Sequence, residues 1–178
     1  MELSNQKTLG DQSPAIVGDG NSVSYGARLR LGNESATILK IISLIPEVAA
    51  SQGVGNEEID YTRDLQKKVD ERFSASKDRL RSRYVDLQLL YGDAYQVAKR
   101  NSGLDDFRLH ECYNHLRNLS IKVLEEKGGD PISALETLCE QFKKHFATSD
   151  GPDFSEQAVE YFLLRELIEC NVFPNIEV

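Results

Sequence analysis

Apolar side chains recur at Tyr61, Leu65, Val69, Phe73, Leu80, Tyr84, Leu87, Tyr91, Ala94 or Tyr95, and Ala98. Steps of three, four and seven residues put them on one face of a helix, so the spacing predicts one long amphipathic helix over 61–100. At about 1.5 Å of rise per residue such a helix spans roughly 60 Å. That is longer than a domain of this size is wide. The helix must therefore lean on other helices of the chain, on further copies of the chain, or on a partner.

Three shorter helices with clear boundaries follow Asn101-Ser102-Gly103. The first covers about 105–126, with Leu109, Cys112 or Tyr113, Leu116, Leu119 and Val123 facing inward, and it stops at Gly128-Gly129. Pro131 opens the second as an N1 residue behind Asp130, and Ile132, Leu135, Leu138, Phe142 and Phe146 form its stripe. The third follows TSDGPD, where Asp153 and Glu156 have capping-box spacing. It buries Phe154, Ala158, Phe162, Leu167 and Ile168 and ends near Asn171, before Pro174.

Upstream of the long helix the chain changes character. Residues 1–32 are rich in Gly, Asp, Asn, Gln and Ser, and the glycines Gly10, Gly18 and Gly26 phase them into blocks of eight. Short strands between turns are the expectation, with VSYGARLRL as a strand, alongside a disordered polar tail as the alternative. Strands this short cannot bury themselves, which makes self-association their remedy. In residues 34–52 the apolar positions Ile38, Leu39, Ile41, Ile42, Leu44 and Ile45 are too dense to show a period. Their length and the PEVAASQ ending favour a helix capped by Asn33 or Ser35, with Pro46 either kinking it or starting a new turn. The fold class expected is all-α, a helical bundle over 33–178 with a β-like, Gly/Asp/Asn-rich extension over 1–32.

Charge is distributed unevenly. Residues 1–59 carry four Lys/Arg against seven Asp/Glu (net −3), residues 60–104 ten against seven (net +3), and residues 105–178 seven against fifteen (net −8). The basic segment peaks at Lys77, Arg79, Arg81 and Arg83 in SASKDRLRSRY, which are the candidate nucleic-acid contacts. On a helix, however, 77, 81 and 84 share one face and 79 and 83 another, so the charges wrap the helix and make no single stripe. A solvated face paired with Asp70, Glu71 and Asp78 is the plainer reading.

The search for chemistry is negative. His110 and His115 in LHECYNH are five apart and diverge on a helix, so with Cys112 they do not make a zinc pair. The Gly-rich GDGNSVSYG lacks the Gly-Lys-Ser/Thr of a phosphate loop, and no GxSxG occurs. Neither a catalytic residue nor a cofactor or metal site is expected. Cys112, Cys139 and Cys170 fall at apolar positions far apart, as reduced buried thiols do. The polar start MELSNQKTLGDQSPA and the absence of a long apolar run predict a cytoplasmic chain with no membrane contact.

The segments YVDLQLLYGDAYQVAK, LSIKVLEEKGGDP and EQAVEYFLLRELIECNVFPN resemble the C-terminal domain of bacterial ABC-three-component defence systems, which include Lamassu. The ending Leu167, Ile168, Cys170, Val172, Phe173 carries the resemblance, which covers about residues 59–175. It implies a complex with an SMC-like ABC ATPase and an effector subunit directed against phage or plasmid DNA. No effector domain precedes the helices here, which turns the expectation toward a non-enzymatic, homo-oligomeric small subunit that scaffolds or restrains its partners. Val172, Phe173 and Ile176, lying past the last helix, are the candidate partner contacts.

Overall fold

A computed structural model describes residues 25–101, 103–147 and 154–176, with the side chains of 25–30, Thr62, Glu71, Arg72 and Ile176 outside that description. Six helices account for nearly all of it: α1 (Tyr25–Ser51), α2 (Leu65–Arg72), α3 (Lys77–Arg100), α4 (Asp106–Glu126), α5 (Pro131–Phe146) and α6 (Glu156–Ile168). The all-α expectation holds. One two-residue antiparallel pair is added, β1 (Tyr61–Thr62) with β2 (Asn175–Ile176), which joins Tyr61 to Ile176 and Thr62 to Asn175.

α1 is the hub, packing against α3, α4, α5 and α6. Ile38, Ile41, Ile42, Leu44, Ile45, Val48 and Ala49 are all buried on it. Four neighbours cover most of its circumference and leave a narrow exposed stripe at Ala36, Ser43, Glu47 and Ala50, and this is the reason for the dense apolar run in its sequence. The helix passes unbroken through Pro46, whose missing N–H removes one rung at the level of Ile42. It also begins at Tyr25, so residues 25–31 of the expected strand VSYGARLRL are helical and continuous with 33–51. Leu31 packs on the core. The other β-like blocks expected in 1–32 lie outside the described residues.

The single helix expected over 61–100 is three elements. After β1, Asp64 caps α2 by accepting from Lys67 N at 2.9 Å, and a turn at residues 73–76 separates α2 from α3. Phe73 leaves helical geometry at φ −123° and ψ 14°, and its buried ring meets Phe173 edge-on with centroids 5.8 Å apart. Burying that ring outweighs one continued helical turn: a core phenylalanine contributes about 1.5–3 kcal/mol, a main-chain hydrogen bond about 1 kcal/mol.

The C-terminal helices match their predicted limits closely. Asp105 caps α4 at Arg108 N (2.8 Å) and Asp130 caps α5 at Ile132 N (3.1 Å). On α6 the cap is Ser155, accepting from Ala158 N at 3.3 Å, whereas the expected Asp153 lies outside the described residues. Beyond α6 the chain makes a tight turn, with Cys170 N bonding Leu167 O (3.2 Å) and Asn171 N bonding Glu166 O (2.8 Å). This pair of bonds is the Schellman C-cap, which asks for a left-handed residue at the position of Cys170, and Cys170 adopts it at φ 61°.

Candidate functional site

α3 stands between two grooves, because its side chains split by helical face as the spacing of 77, 81 and 84 against 79 and 83 requires. Lys77, Arg81 and Tyr84 border an apolar groove of about 230 Å³ shared with α2 and α6, floored by Val69, Leu80 and Leu167. Arg79 and Arg83 border the larger one, a cleft of about 700 Å³ between α3, α5 and α6. The nucleic-acid candidates are thus divided between two sides of the molecule. Arg83 is also committed within the chain: its Nε and Nη2 donate to the two carboxylate oxygens of Glu160, each at 2.6 Å. That fork raises the guanidinium's pKa further, through the hydrogen bond first.

The large cleft is acidic. From α5 come Glu136 and Glu140, from α6 Glu156 and Glu160, and from α3 Asp86, against Arg79 and Arg83. Its floor is apolar, made by Leu80, Ile132, Leu135, Cys139 and Leu164. Burial pushes the Cys139 thiol up to about 12, and the negative charges of Glu160, Glu156, Glu140 and Glu136 push in the same direction. A thiol so protected is no nucleophile near neutral pH. The sequence did contain a signal for this site, namely the pairs Glu136/Glu140 and Glu156/Glu160 at four-residue spacing. Like charges at that spacing cost an isolated helix about 0.2–0.5 kcal/mol each.

Behind α3 the packing is aromatic and polar. Tyr84, Tyr91 and Tyr95 surround Tyr161 of α6 at centroid distances of 5.9, 6.1 and 6.1 Å, and Gln88 Oε1 accepts from the hydroxyls of Tyr84 (2.7 Å) and Tyr161 (2.6 Å). Deeper lies Glu166, fully buried, accepting from Tyr95 Oη at 2.5 Å and from Asn171 Nδ2 at 2.7 Å. Burial pushes its carboxyl pKa up, and the bonds from Tyr95 and Asn171 pull against that shift. Lys68 of α2, at 0% exposure, donates to Leu167 O (2.9 Å) and Val172 O (2.8 Å) at the end of α6. It thus partners one carbonyl of the last turn of α6, that of Leu167, and one in the turn beyond it, that of Val172.

This turn decides the fate of the expected partner contacts. Val172 and Phe173 are fully buried, so the structure places them in the core instead of on a contact surface. Phe173 N donates to Ser120 Oγ at 2.9 Å, and the ring fills the space beside Phe73. Ile176 is held by its backbone in the pair with Tyr61. Among the described residues the exposed large apolar side chains are instead Leu89 (84%), Phe107 (69%), Val85 (51%) and Leu90 (42%).

His110 lies on the surface 4.0 Å from Glu58, and Cys112 is buried. Among the described residues no three His, Cys, Asp or Glu side chains converge as a metal ion would need. None of the described helices is long and apolar enough to cross a membrane. The described residues therefore form an α-bundle of six helices with an acidic, apolar-floored cleft along α3. No family model matches the chain, and no curated protein or solved structure does so either.

Proposed function

We propose that this chain is a non-enzymatic docking subunit that binds a basic amphipathic segment of a protein partner in the cleft between α3, α5 and α6. The observation that carries the reading is the composition of that cleft. Five carboxylates surround an apolar floor, and only Arg79 and Arg83 oppose them, with Arg83 already spent on Glu160. A partner helix bearing Lys or Arg on either side of an apolar stripe matches both the charge and the floor. The cleft volume of about 700 Å³ accommodates several side chains of such a helix.

The resemblance of 59–175 to the terminal domain of ABC-three-component systems supplies the identity of the partner. It is an SMC-like ABC ATPase, or the effector, of a bacterial anti-phage or anti-plasmid complex, working in the cytoplasm. Self-association belongs to the same proposal and has Val85 and Leu89, one turn apart on α3, as its exposed apolar surface. A DNA-binding helix is the second reading, resting on the exposed Lys77, Arg79 and Arg81.

The test is co-purification of the chain with the ATPase and effector encoded beside it. The triple variant Glu136→Lys, Glu140→Lys, Glu156→Lys is expected to lose the partner while keeping its helical circular dichroism. Retention of the partner by that folded variant, or a chain that binds neither protein, overturns the proposal.

A further inference from the structure

A second cavity, about 220 Å³, opens between α4, the end of α3 and the turn after α6. At its edge sits Arg117, a guanidinium only 3% exposed. Its Nη1 donates to Asn114 Oδ1, its Nη2 donates to Asn171 Oδ1 at 2.8 Å, and its plane lies over the Tyr61 ring at 4.3 Å. Those partners orient the fork without neutralising it. Among the described residues no carboxylate touches Arg117, and its Nε is buried with no hydrogen-bond partner. The nearest compensation is Glu166, reached only through the Asn171 amide.

A buried charge without a counter-charge is costly, and arginine cannot shed its proton to escape the cost. The surroundings sharpen the point. Arg63 and Lys99 line the same cavity, and the positive charge of Arg63 acts against that of Arg117. Two acids also line it. Glu169 is engaged by Arg165 at 2.5 Å, and Asp106 occupies the first turn of α4. His110 lines the rim as well.

We propose that this cavity is a binding site for a small oxyanion, a phosphate or carboxylate group, with Arg117 as its buried anchor and Arg63 and Lys99 as its outer clamp. The unpartnered Nε–H and the fixed guanidinium plane suit an acceptor that takes charge-assisted hydrogen bonds. The source of the group is a free anion or the anionic end of a metabolite, since the cavity is too small for more.

Calorimetric titration of the full chain with sodium phosphate and with sodium acetate, at constant ionic strength set by chloride, tests it. Saturable binding of one anion per chain is expected, and which of the two binds more tightly identifies the group. The double variant Arg63→Gln, Lys99→Gln alters surface residues and keeps the fold, and it should bind at least tenfold more weakly. Asp106→Asn should bind several-fold more tightly. Heats for phosphate and acetate no different from chloride, or unchanged affinity in the double variant, overturn the inference.

Discussion

Glu166 and Phe173 show what single residues do in this molecule. Glu166 is a carboxyl whose folded-state pKa is raised by burial, so the native state holds its proton more tightly than the unfolded chain. Its contribution is fully present below the unfolded pKa, which lies at about 4.3, and is lost as pH rises through the folded value. Urea midpoints measured from pH 4 upward should therefore fall more steeply in the parent than in Glu166→Gln. Phe173→Ala should cost about 3–5 kcal/mol by the same denaturation, because the ring is enclosed and leaves a cavity. A surface contact at that position would cost less than about 0.5 kcal/mol. Neither role was legible in the sequence, for a definite reason. Past the end of a helix no period tells inward from outward positions, and so Val172 and Phe173 read as free for contact. Lys68 was opaque on other grounds, since an isolated lysine is among the residues least often fully buried, and its carbonyl partners lie 99 and 104 residues away.

At the scale of elements the C-terminal half was legible and the N-terminal half only in part. Asp105, Asp130, Pro131 and Gly128 are local signals acting on the helix they terminate, so they read directly. The break between α2 and α3 escaped because the stripe steps from Phe73 to Leu80 in seven residues, which preserves helical phase across the turn. Both helices face the same core, so the period continues where the helix does not. Ser76 and Asp64, both cap-type residues, were the cue. Gly128 occupies at α4 the left-handed position that Cys170 occupies at α6, with φ 64° against 61°. Gly128→Ala is expected to lower stability by about 1 kcal/mol, since nothing crowds the added methyl and only the backbone preference is lost. Thermal unfolding would register this as a drop of about 2–4 °C. Between α6 and α3, Glu160→Gln removes the fork to Arg83 at a half-exposed site, and double-mutant cycles should find less than about 1 kcal/mol.

Across the whole molecule the arrangement follows from α1 serving as the common packing partner. Four helices pack on it, and α3 is left with its N-terminal half between two grooves. The proposed partner interaction is electrostatic at the rim and apolar at the floor. Raising salt from 50 to 500 mM should accordingly slow association more than it speeds dissociation, as surface-plasmon traces would reveal. The tail beyond α6 bears on a different property. Residues 170–176 are fastened to α2 and β1 through Lys68, Asp64 and Tyr61, by contacts that span 104 residues of chain or more. Closing a loop of that length costs about 4 kcal/mol of chain entropy before any of those bonds forms. The helices form from neighbours in sequence, on a timescale of microseconds or less. The strap can be fastened only after they have assembled. It is expected to lock late in refolding, with Lys68 reaching its carbonyls only once residues 167–172 have been synthesised, and stopped-flow refolding of Lys68→Met against the parent would measure this.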